Sequence, residues 1–179
     1  MKIYTIGHGN KKADVFLSEL VSFGVEFVLD IRSKPYSKWS PHFNREELKT
    51  LLHDNKIRYV YFGDSLGGLP EDRSCYDDGK VNYTTLQGKD FFQAGIKRLH
   101  TAADKGYKVA LMCSESAPGD CHRSKLIGEV LQEDGIEVVH ITGSNSSITQ
   151  TEAILEATGG AGTEDLFGTI DLTSRKKYE

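Results

Sequence analysis

Short apolar runs alternate with longer segments of helical periodicity along most of this 179-residue chain. Apolar runs of four to six residues that end at turn residues are typical of buried strands. They predict five strands, at residues 3–6, 27–31, 59–62, 109–112 and 136–141. The second run is apolar on both faces until it reaches Asp30, which is the pattern of a central strand in a parallel sheet.

The segments between the strands repeat apolar residues every three or four positions, which predicts amphipathic helices. The first helix is predicted to follow Asn10, which would cap it. Capping-box pairs open two more helices, Asn44 with Glu47 and Thr149 with Glu152. Glycines are predicted to end three helices, at Gly24, Gly106 and Gly135.

This alternation predicts an α/β fold, a single three-layer domain with a mainly parallel sheet of about five strands and helices on both faces. Residues 1–143 are assigned to the α/β domain that carries the site. Residues 144–179 are predicted to form a C-terminal helix and a flexible tail, ending in the charged run 175–178, that pack on or trail from the same domain. The irregular stretch 63–88 is predicted to be a long loop that folds over the site.

Composition and charge narrow the function classes. No apolar run is long enough to span a membrane, and the chain enters a strand directly, so we expect neither a signal peptide nor a membrane partner. Three cysteines, an odd number, do not suggest a disulfide framework, which favours a reducing, cytoplasmic location. A net charge of −4 argues against a general nucleic-acid coat protein but is compatible with a local basic site. The sequence makes no prediction of oligomeric state.

Polar residues follow four of the predicted strands. They are His8 after the first strand, Asp30 and Arg32 around the end of the second, Asp64 after the third, and the segment 113–123 after the fourth. Ligands bind beyond the carboxyl ends of strands in open parallel sheets. We therefore predict one site that is built from at least three of these loops.

Cys113 is the candidate nucleophile of this site. It ends a predicted buried strand and faces the start of a predicted helix that carries Cys121, His122 and Arg123. Both the helix terminus and Arg123 would favour its thiolate form. Glu115 and His8 are the candidates for proton transfer. The alternative is that Cys113 is a buried structural cysteine and Glu115 a solvated loop acid.

Cys121 and His122 leave further interpretations open. Cys121 could be a resolving thiol for Cys113, and His122 could simply bond a neighbouring loop from the first helical turn. Alternatively, Cys113, Cys121 and His122, with or without His8, could bind a metal ion. Zinc motifs normally contain two close pairs of ligands, and the chain has no Cys-x-x-Cys, so we predict no metal and no other cofactor.

The segment 32–45 interleaves four cations with three aromatic residues just beyond a strand end. Such a patch can hold phosphate and stack a base or another planar group, whereas the alternative is an ordinary basic loop with its aromatics packed beneath it. Together with the cysteine segment it gives the residues predicted to bind the substrate or anion, which are Asp30, Arg32, Ser33, Tyr36, Trp39, Cys121, His122 and Arg123.

Three motifs resemble those of the bacterial and archaeal domain-of-unknown-function family 488. They are Thr5-Ile6-Gly7-His8, the segment from Leu29 to Pro35, and Met112-Cys113-Ser114-Glu115 closing on Cys121-His122-Arg123. They occur in the order expected of the family and cover most of the chain through the fifth strand. The resemblance implies membership of an uncharacterised family and no particular activity.

A second, looser similarity is to rhodanese-like domains, in which an Asp-x-Arg strand end precedes a strand that ends in the active cysteine. Asp30-Ile31-Arg32 and Cys113 stand in that order. This similarity implies sulfur transfer or phosphate hydrolysis as alternatives. The chain departs from the pattern because Gly119 occupies the position where phosphatase loops have an arginine.

Two hypotheses follow from these residues. The first, which we favour, is a cysteine-dependent hydrolase or transferase in which Cys113 attacks an anionic substrate that contains phosphate, sulfur or a nucleotide. The second is a binding module for a nucleotide or a nucleic acid, with structural cysteines. A metal-binding protein is the third alternative.

Overall fold

The computed structural model describes residues 1–162, 164–165, 168–169, 172–174 and 177–178. The strands within this part of the chain are β1 (Lys2–Gly7), β2 (Phe27–Asp30), β3 (Arg58–Tyr61), β4 (Tyr76–Asp77), β5 (Lys80–Val81), β6 (Val109–Cys113), β7 (Glu137–Gly143), β8 (Ser146–Thr149), β9 (Glu164–Asp165) and β10 (Gly168–Thr169). The α-helices are α1 (Ala13–Ser22), α2 (Arg45–Asp54), α3 (Gly63–Leu66), α4 (Tyr83–Gln87), α5 (Asp90–Asp104), α6 (Glu129–Glu133) and α7 (Gln150–Ala157).

The main sheet has six strands in the order β3-β2-β6-β1-β7-β8. The first five are parallel to their neighbours and correspond to the five predicted strands, so the predicted mainly parallel α/β fold is confirmed. The sixth, β8, pairs antiparallel with β7 and was not predicted. Its sequence, Ser146 to Thr149, contains a single aliphatic residue because it lies at the sheet edge with little to bury.

Apolar side chains cover both faces of this sheet. One cluster joins Val28 and Met112 to Phe16 of α1 and Leu48 of α2. The second cluster, on the opposite face, joins the strands to the helices that follow β5 and β6, through residues such as Leu86, Phe92, Leu99, Leu126 and Leu131. The protein is therefore a three-layer α/β domain, as predicted.

The predicted helix starts are right in two cases and wrong in one. Thr149 and Glu152 form the capping box of α7. Asn44 occupies the N-cap position of α2, but its side-chain oxygen accepts a hydrogen bond from the Ser37 backbone instead (2.7 Å). Asn10 does not cap α1, which begins three residues later at Ala13 after Lys12, because residues 9–12 form the turn that leads out of β1.

The stretch 63–88 is not the irregular loop that we predicted. It contains α3, the β4–β5 hairpin and α4, and its apolar side chains Leu66, Val81 and Leu86 are fully buried. These elements are two to five residues long, which is too short to produce a recognisable hydrophobic period.

Described parts of the tail contact this hairpin. Ser174 is buried and its hydroxyl accepts a hydrogen bond from the Val81 backbone (3.0 Å). The backbone of Tyr178 donates to the Gly79 carbonyl (2.6 Å), and Lys177 forms an ion pair with Asp78. The remaining charged positions of the predicted tail, 175 and 176, lie outside the described residues. No helix of the described chain has the length and apolar character needed to cross a membrane.

Candidate functional site

A cleft of about 300 Å³ lies at the carboxyl ends of β1, β2 and β6. Strand register brings these ends together, since Gly7 pairs with Cys113 and Asp30 with Met112. Eight of the eleven predicted site residues line the cleft, namely His8, Arg32, Ser33, Tyr36, Cys113, Glu115, Cys121 and His122. Asp30, Trp39 and Arg123 do not line it.

Asp30 lies behind the cleft and holds Arg32 in place. The carboxylate is fully buried and accepts two hydrogen bonds from the Arg32 guanidinium, one from Nε (2.8 Å) and one from Nη2 (2.6 Å). It also accepts the Tyr59 hydroxyl (2.8 Å), while Arg32 Nη2 donates to the Phe43 carbonyl (2.8 Å). Asp30 therefore positions Arg32 and does not line the cleft, where we had predicted it to bind the substrate or anion. Of the three guanidinium nitrogens, only Nη1 bonds neither Asp30 nor Phe43.

His8 completes this arrangement on the β1 side. The Gly9 carbonyl can only accept, so Nδ1 of the neutral ring donates to it (2.8 Å) and Nε2 accepts from Arg32 Nη1 (3.2 Å). The ring stacks on Phe43 with its centroid 4.4 Å away. Burial lowers the pKa of His8 to about 4, against the raising effect of the Gly9 carbonyl. The imidazole is neutral at pH 7, and these contacts favour a positioning role over the predicted proton transfer.

Two thiols face one imidazole nitrogen on the other side of the cleft. His122 Nδ1 lies 3.8 Å from Cys113 Sγ and 3.7 Å from Cys121 Sγ. Nε2 of the same ring donates to the Leu66 carbonyl (3.1 Å), which places the neutral ring's lone pair at Nδ1. A thiol, a base and a group that orients the base are the components of an activated nucleophile.

The surroundings of the two thiols differ. Burial tends to raise the pKa of Cys121, but a hydrogen bond from Cys113, the Arg123 charge and the Arg123 backbone N–H, which donates to Cys121 Sγ (3.4 Å), together lower it. The hydrogen bond to Cys121 and burial both raise the pKa of Cys113. The stabilisation that we predicted for a Cys113 thiolate therefore goes to Cys121, with the Cys113 S–H as a donor to it.

Arg123 turns away from the cleft. Its guanidinium is almost fully buried and donates to the carbonyls of Glu115 (2.6 Å) and Ser116 (2.8 Å). It fixes the loop after β6 instead of binding an anion as predicted. The predicted helix carrying residues 121–123 is also shorter, because a π-helical turn begins only at Arg123, runs to Gly128 and leads into α6.

The same loop packs directly on the end of β1. The backbone of His8 donates to the Cys113 carbonyl (3.0 Å), and Gly9 donates to Ser114 (3.0 Å). A Cβ at Gly7 would lie 1.9 Å from the Glu115 carbonyl oxygen, so only glycine allows this approach. The end of β1 and the cysteine loop therefore form one unit.

Sequence reasoning missed several residues around the cleft. Gly68, Leu69 and Tyr83, from the stretch 63–88, line it as that stretch was predicted to do, but none had been singled out. Ser174 and Tyr178 line it from the tail. The Leu66 carbonyl that orients His122 is a main-chain group, so no residue type in the sequence could have signalled it.

The donor set is also suited to a metal ion. Sγ of Cys113, Sγ of Cys121 and a ring nitrogen of His122 lie within 4.8 Å of one another. Two thiolates and an imidazole are zinc ligands, and a metal-bound histidine usually donates its other N–H to a carbonyl, as His122 does to Leu66. These three residues could thus hold zinc with an open fourth position, although the spacing rule led us to predict no metal.

Comparison with known protein families gives one match. Residues 12–131, about two thirds of the chain, match the family described as Domain of unknown function DUF488. No curated protein matches the chain. The looser similarity to rhodanese-like domains finds no support in these comparisons. The matched segment includes the Asp30–Arg32 pair and the cysteine–histidine cluster, and the chain belongs to the DUF488 family.

Proposed function

We propose that the protein is a cysteine-dependent hydrolase or transferase that acts on an anionic substrate. The observation that carries the proposal is the position of His122 Nδ1, between the sulfurs of Cys113 and Cys121 and with the ring oriented by the Leu66 carbonyl. The same cleft contains Arg32, whose planar guanidinium suits phosphate, sulfate or carboxylate.

The contacts of the two sulfurs support Cys121 as the attacking thiolate, in place of Cys113. In the proposed reaction His122 takes the Cys121 proton at Nδ1, and the sulfur bonds to the electrophilic atom of the substrate. The leaving group departs with its electron pair and receives the proton from His122. Water or another acceptor then transfers a proton to His122 and displaces the sulfur, which restores the thiolate.

We expect the thiolate to be detectable by alkylation. Small reagents such as iodoacetamide should modify one thiol of the native protein rapidly, with a rate that rises through a midpoint below pH 9, since the pKa of Cys121 is lowered from that value. Mass spectrometry of the intact chain against pH gives the rate. Cys121→Ser should abolish the fast phase, and His122→Gln should slow it.

Cys75 provides the matched control, because it is a free, fully buried cysteine that does not line the cleft. Cys75→Ser should leave the fast phase unchanged. A native protein with no fast phase, or one whose fast phase survives in both Cys113→Ser and Cys121→Ser, would contradict the proposal.

Arg32 should provide much of the anion affinity. Arg32→Lys keeps a cation beside Asp30 but removes Nη1, the guanidinium nitrogen that bonds neither Asp30 nor Phe43, so we expect phosphate or sulfate to bind about tenfold more weakly in calorimetric titration. Lys97→Ala, at an exposed position of α5, is the control and should bind normally. Equal affinity of Arg32→Lys and the unmodified protein for both anions would place the anion site elsewhere.

A zinc protein is the second candidate function, favoured by the donor set of Cys113, Cys121 and His122. Cobalt(II) titration tests it, since thiolate ligands give a charge-transfer absorption band. Stoichiometric zinc in the purified protein, together with loss of the cobalt band in Cys113→Ser, would support a metal-binding role for these cysteines in place of the nucleophilic role. A protein with no such band and with a fast-reacting thiol supports the enzyme proposed above.

A further inference from the structure

The loop from Lys34 to Asn44, which we name the rim loop, presents a tryptophan to solvent. Trp39 is the only tryptophan of the chain and is 94% exposed. Tyr36, which lines the cleft, is 67% exposed. Tryptophan and tyrosine are enriched at binding interfaces, where one part of the ring is buried and the other stays in contact with water.

Trp39 is exposed although the rim loop around it is held by hydrogen bonds. The Ser37 hydroxyl accepts the backbone N–H groups of Trp39 and Ser40 (both 3.2 Å), and Ser37 itself donates to the Asn44 side chain (2.7 Å). Phe43, at the end of the loop, is fully buried. One interpretation of this segment was that its aromatic side chains pack beneath the loop. That is true of Phe43, but Trp39 is exposed on a loop that hydrogen bonds hold in place.

Cations are frequent in the sequence around Trp39, and two of them, Lys34 and Lys38, are exposed, whereas Arg32 is paired with Asp30. Residues 32–45 contain four cations and no carboxylate, in a chain whose net charge is −4. Lys34 and Ser37 of the rim loop line the cleft, and Trp39 follows Ser37 by two residues. A molecule whose anionic group lies in the cleft, and which extends along the rim loop past Ser37, would reach the indole and Lys38.

We propose that the substrate is a nucleoside phosphate, whose phosphate lies in the cleft near Arg32 and whose base stacks on Trp39. A cleft of about 300 Å³ has room for a phosphate group and a sugar, and Lys34, Tyr36 and Ser37 of the rim loop that carries Trp39 line it. An aromatic platform beside cations is the arrangement that binds nucleotides without reading their sequence. This inference deepens the proposed function and rests on its anion-binding cleft.

Fluorescence of the sole tryptophan tests the proposal directly. Adenosine monophosphate should quench Trp39 emission with saturation, inorganic phosphate should bind without quenching, and adenosine should need far higher concentrations. In calorimetry, Trp39→Ala should weaken adenosine monophosphate about tenfold, as expected for one lost stacking contact, and should leave phosphate affinity unchanged. Trp39→Phe should recover part of the loss.

Tyr107→Ala is the matched control, because Tyr107 is a 41% exposed aromatic that precedes β6, at the sheet edge opposite the cleft. It should bind adenosine monophosphate normally. A short oligodeoxyadenylate distinguishes the source of the nucleotide: tighter and more salt-dependent binding than that of the mononucleotide identifies a nucleic-acid strand, and equal binding identifies a free nucleotide.

The proposal is overturned if adenosine monophosphate causes no quenching, or if Trp39→Ala binds it as well as the unmodified protein. This failure is distinct from failure of the proposed enzyme, which alkylation tests without any nucleotide. Nucleotide binding with inert thiols would retain the nucleotide site and reject the cysteine chemistry. Reactive thiols without quenching would retain the enzyme and reject the nucleotide.

Discussion

Replacing Asp30 with asparagine should lower the free energy of unfolding by about 3–5 kcal/mol. Asparagine has nearly the same shape, but it removes the charge that balances the buried Arg32 guanidinium and places an amide donor against other donors. The carboxylate is fully buried and accepts hydrogen bonds from Arg32 and Tyr59, so no water replaces them. Urea denaturation at pH 7 measures the loss.

Asp54→Asn is the control for this variant, because the Asp54 side chain is 68% exposed at the end of α2. Its free energy of unfolding should change by less than about 0.5 kcal/mol. A loss below about 1 kcal/mol for Asp30→Asn would show that Arg32 finds another partner, and would contradict the positioning role assigned to the carboxylate.

Acidification should destabilise the protein between about pH 6.5 and 4, because two histidines are held neutral in the fold. Burial lowers the pKa of His8 to about 4, and burial likewise lowers that of His140 to about 4. Nε2 of His140 donates to Gln150 Oε1 (2.8 Å), so in the neutral ring Nδ1 accepts from the Thr5 hydroxyl (2.6 Å).

The sign follows from proton binding. Below pH 6.5 the unfolded chain protonates these histidines while the folded chain does not, until the pH reaches about 4. Each histidine should therefore reduce the free energy of unfolding by about 1.4 kcal/mol per pH unit over this range. Urea denaturation at several pH values gives the slope.

Two variants separate this effect from the titration of carboxylates. His140→Gln should be less stable at pH 7 but should lose about half of the slope. His53→Gln should keep the full slope, since the His53 side chain is 88% exposed. A free energy of unfolding that stays constant from pH 6.5 to pH 4 would contradict the assigned protonation states.

The strands that could be predicted are those in which consecutive apolar residues are buried. The apolar runs 27–31 and 109–112 are strands covered on both faces, and their ends place Asp30 and Cys113 at one edge. β8 was not predicted because its residues are mostly exposed at the sheet edge, so they form no apolar run.

Eight of the residues that line the cleft could be predicted from the sequence, but the directions of other side chains could not. Arg123 was expected in the cleft, yet its guanidinium is used by the carbonyls of Glu115 and Ser116, whose positions depend on how the loop crosses Gly7. The lowered pKa of Cys121 likewise depends on the hydrogen bond from Cys113, on the Arg123 charge and on the Arg123 backbone N–H, none of which the sequence predicts for one sulfur over the other. Because every residue type has the same main-chain carbonyl, and all but proline the same N–H, the sequence does not show which of these groups will bond a given side chain.

The position of β6 has a consequence for when the site can exist during folding. β6 lies between β2 and β1, although it follows both of them in the chain by about 80 residues or more. The ends of β1 and β2 therefore cannot take their final places around the thiols until β6 has inserted and paired with both. The cleft that joins the cysteines to His8 and Arg32 is therefore complete only after the central strands have paired.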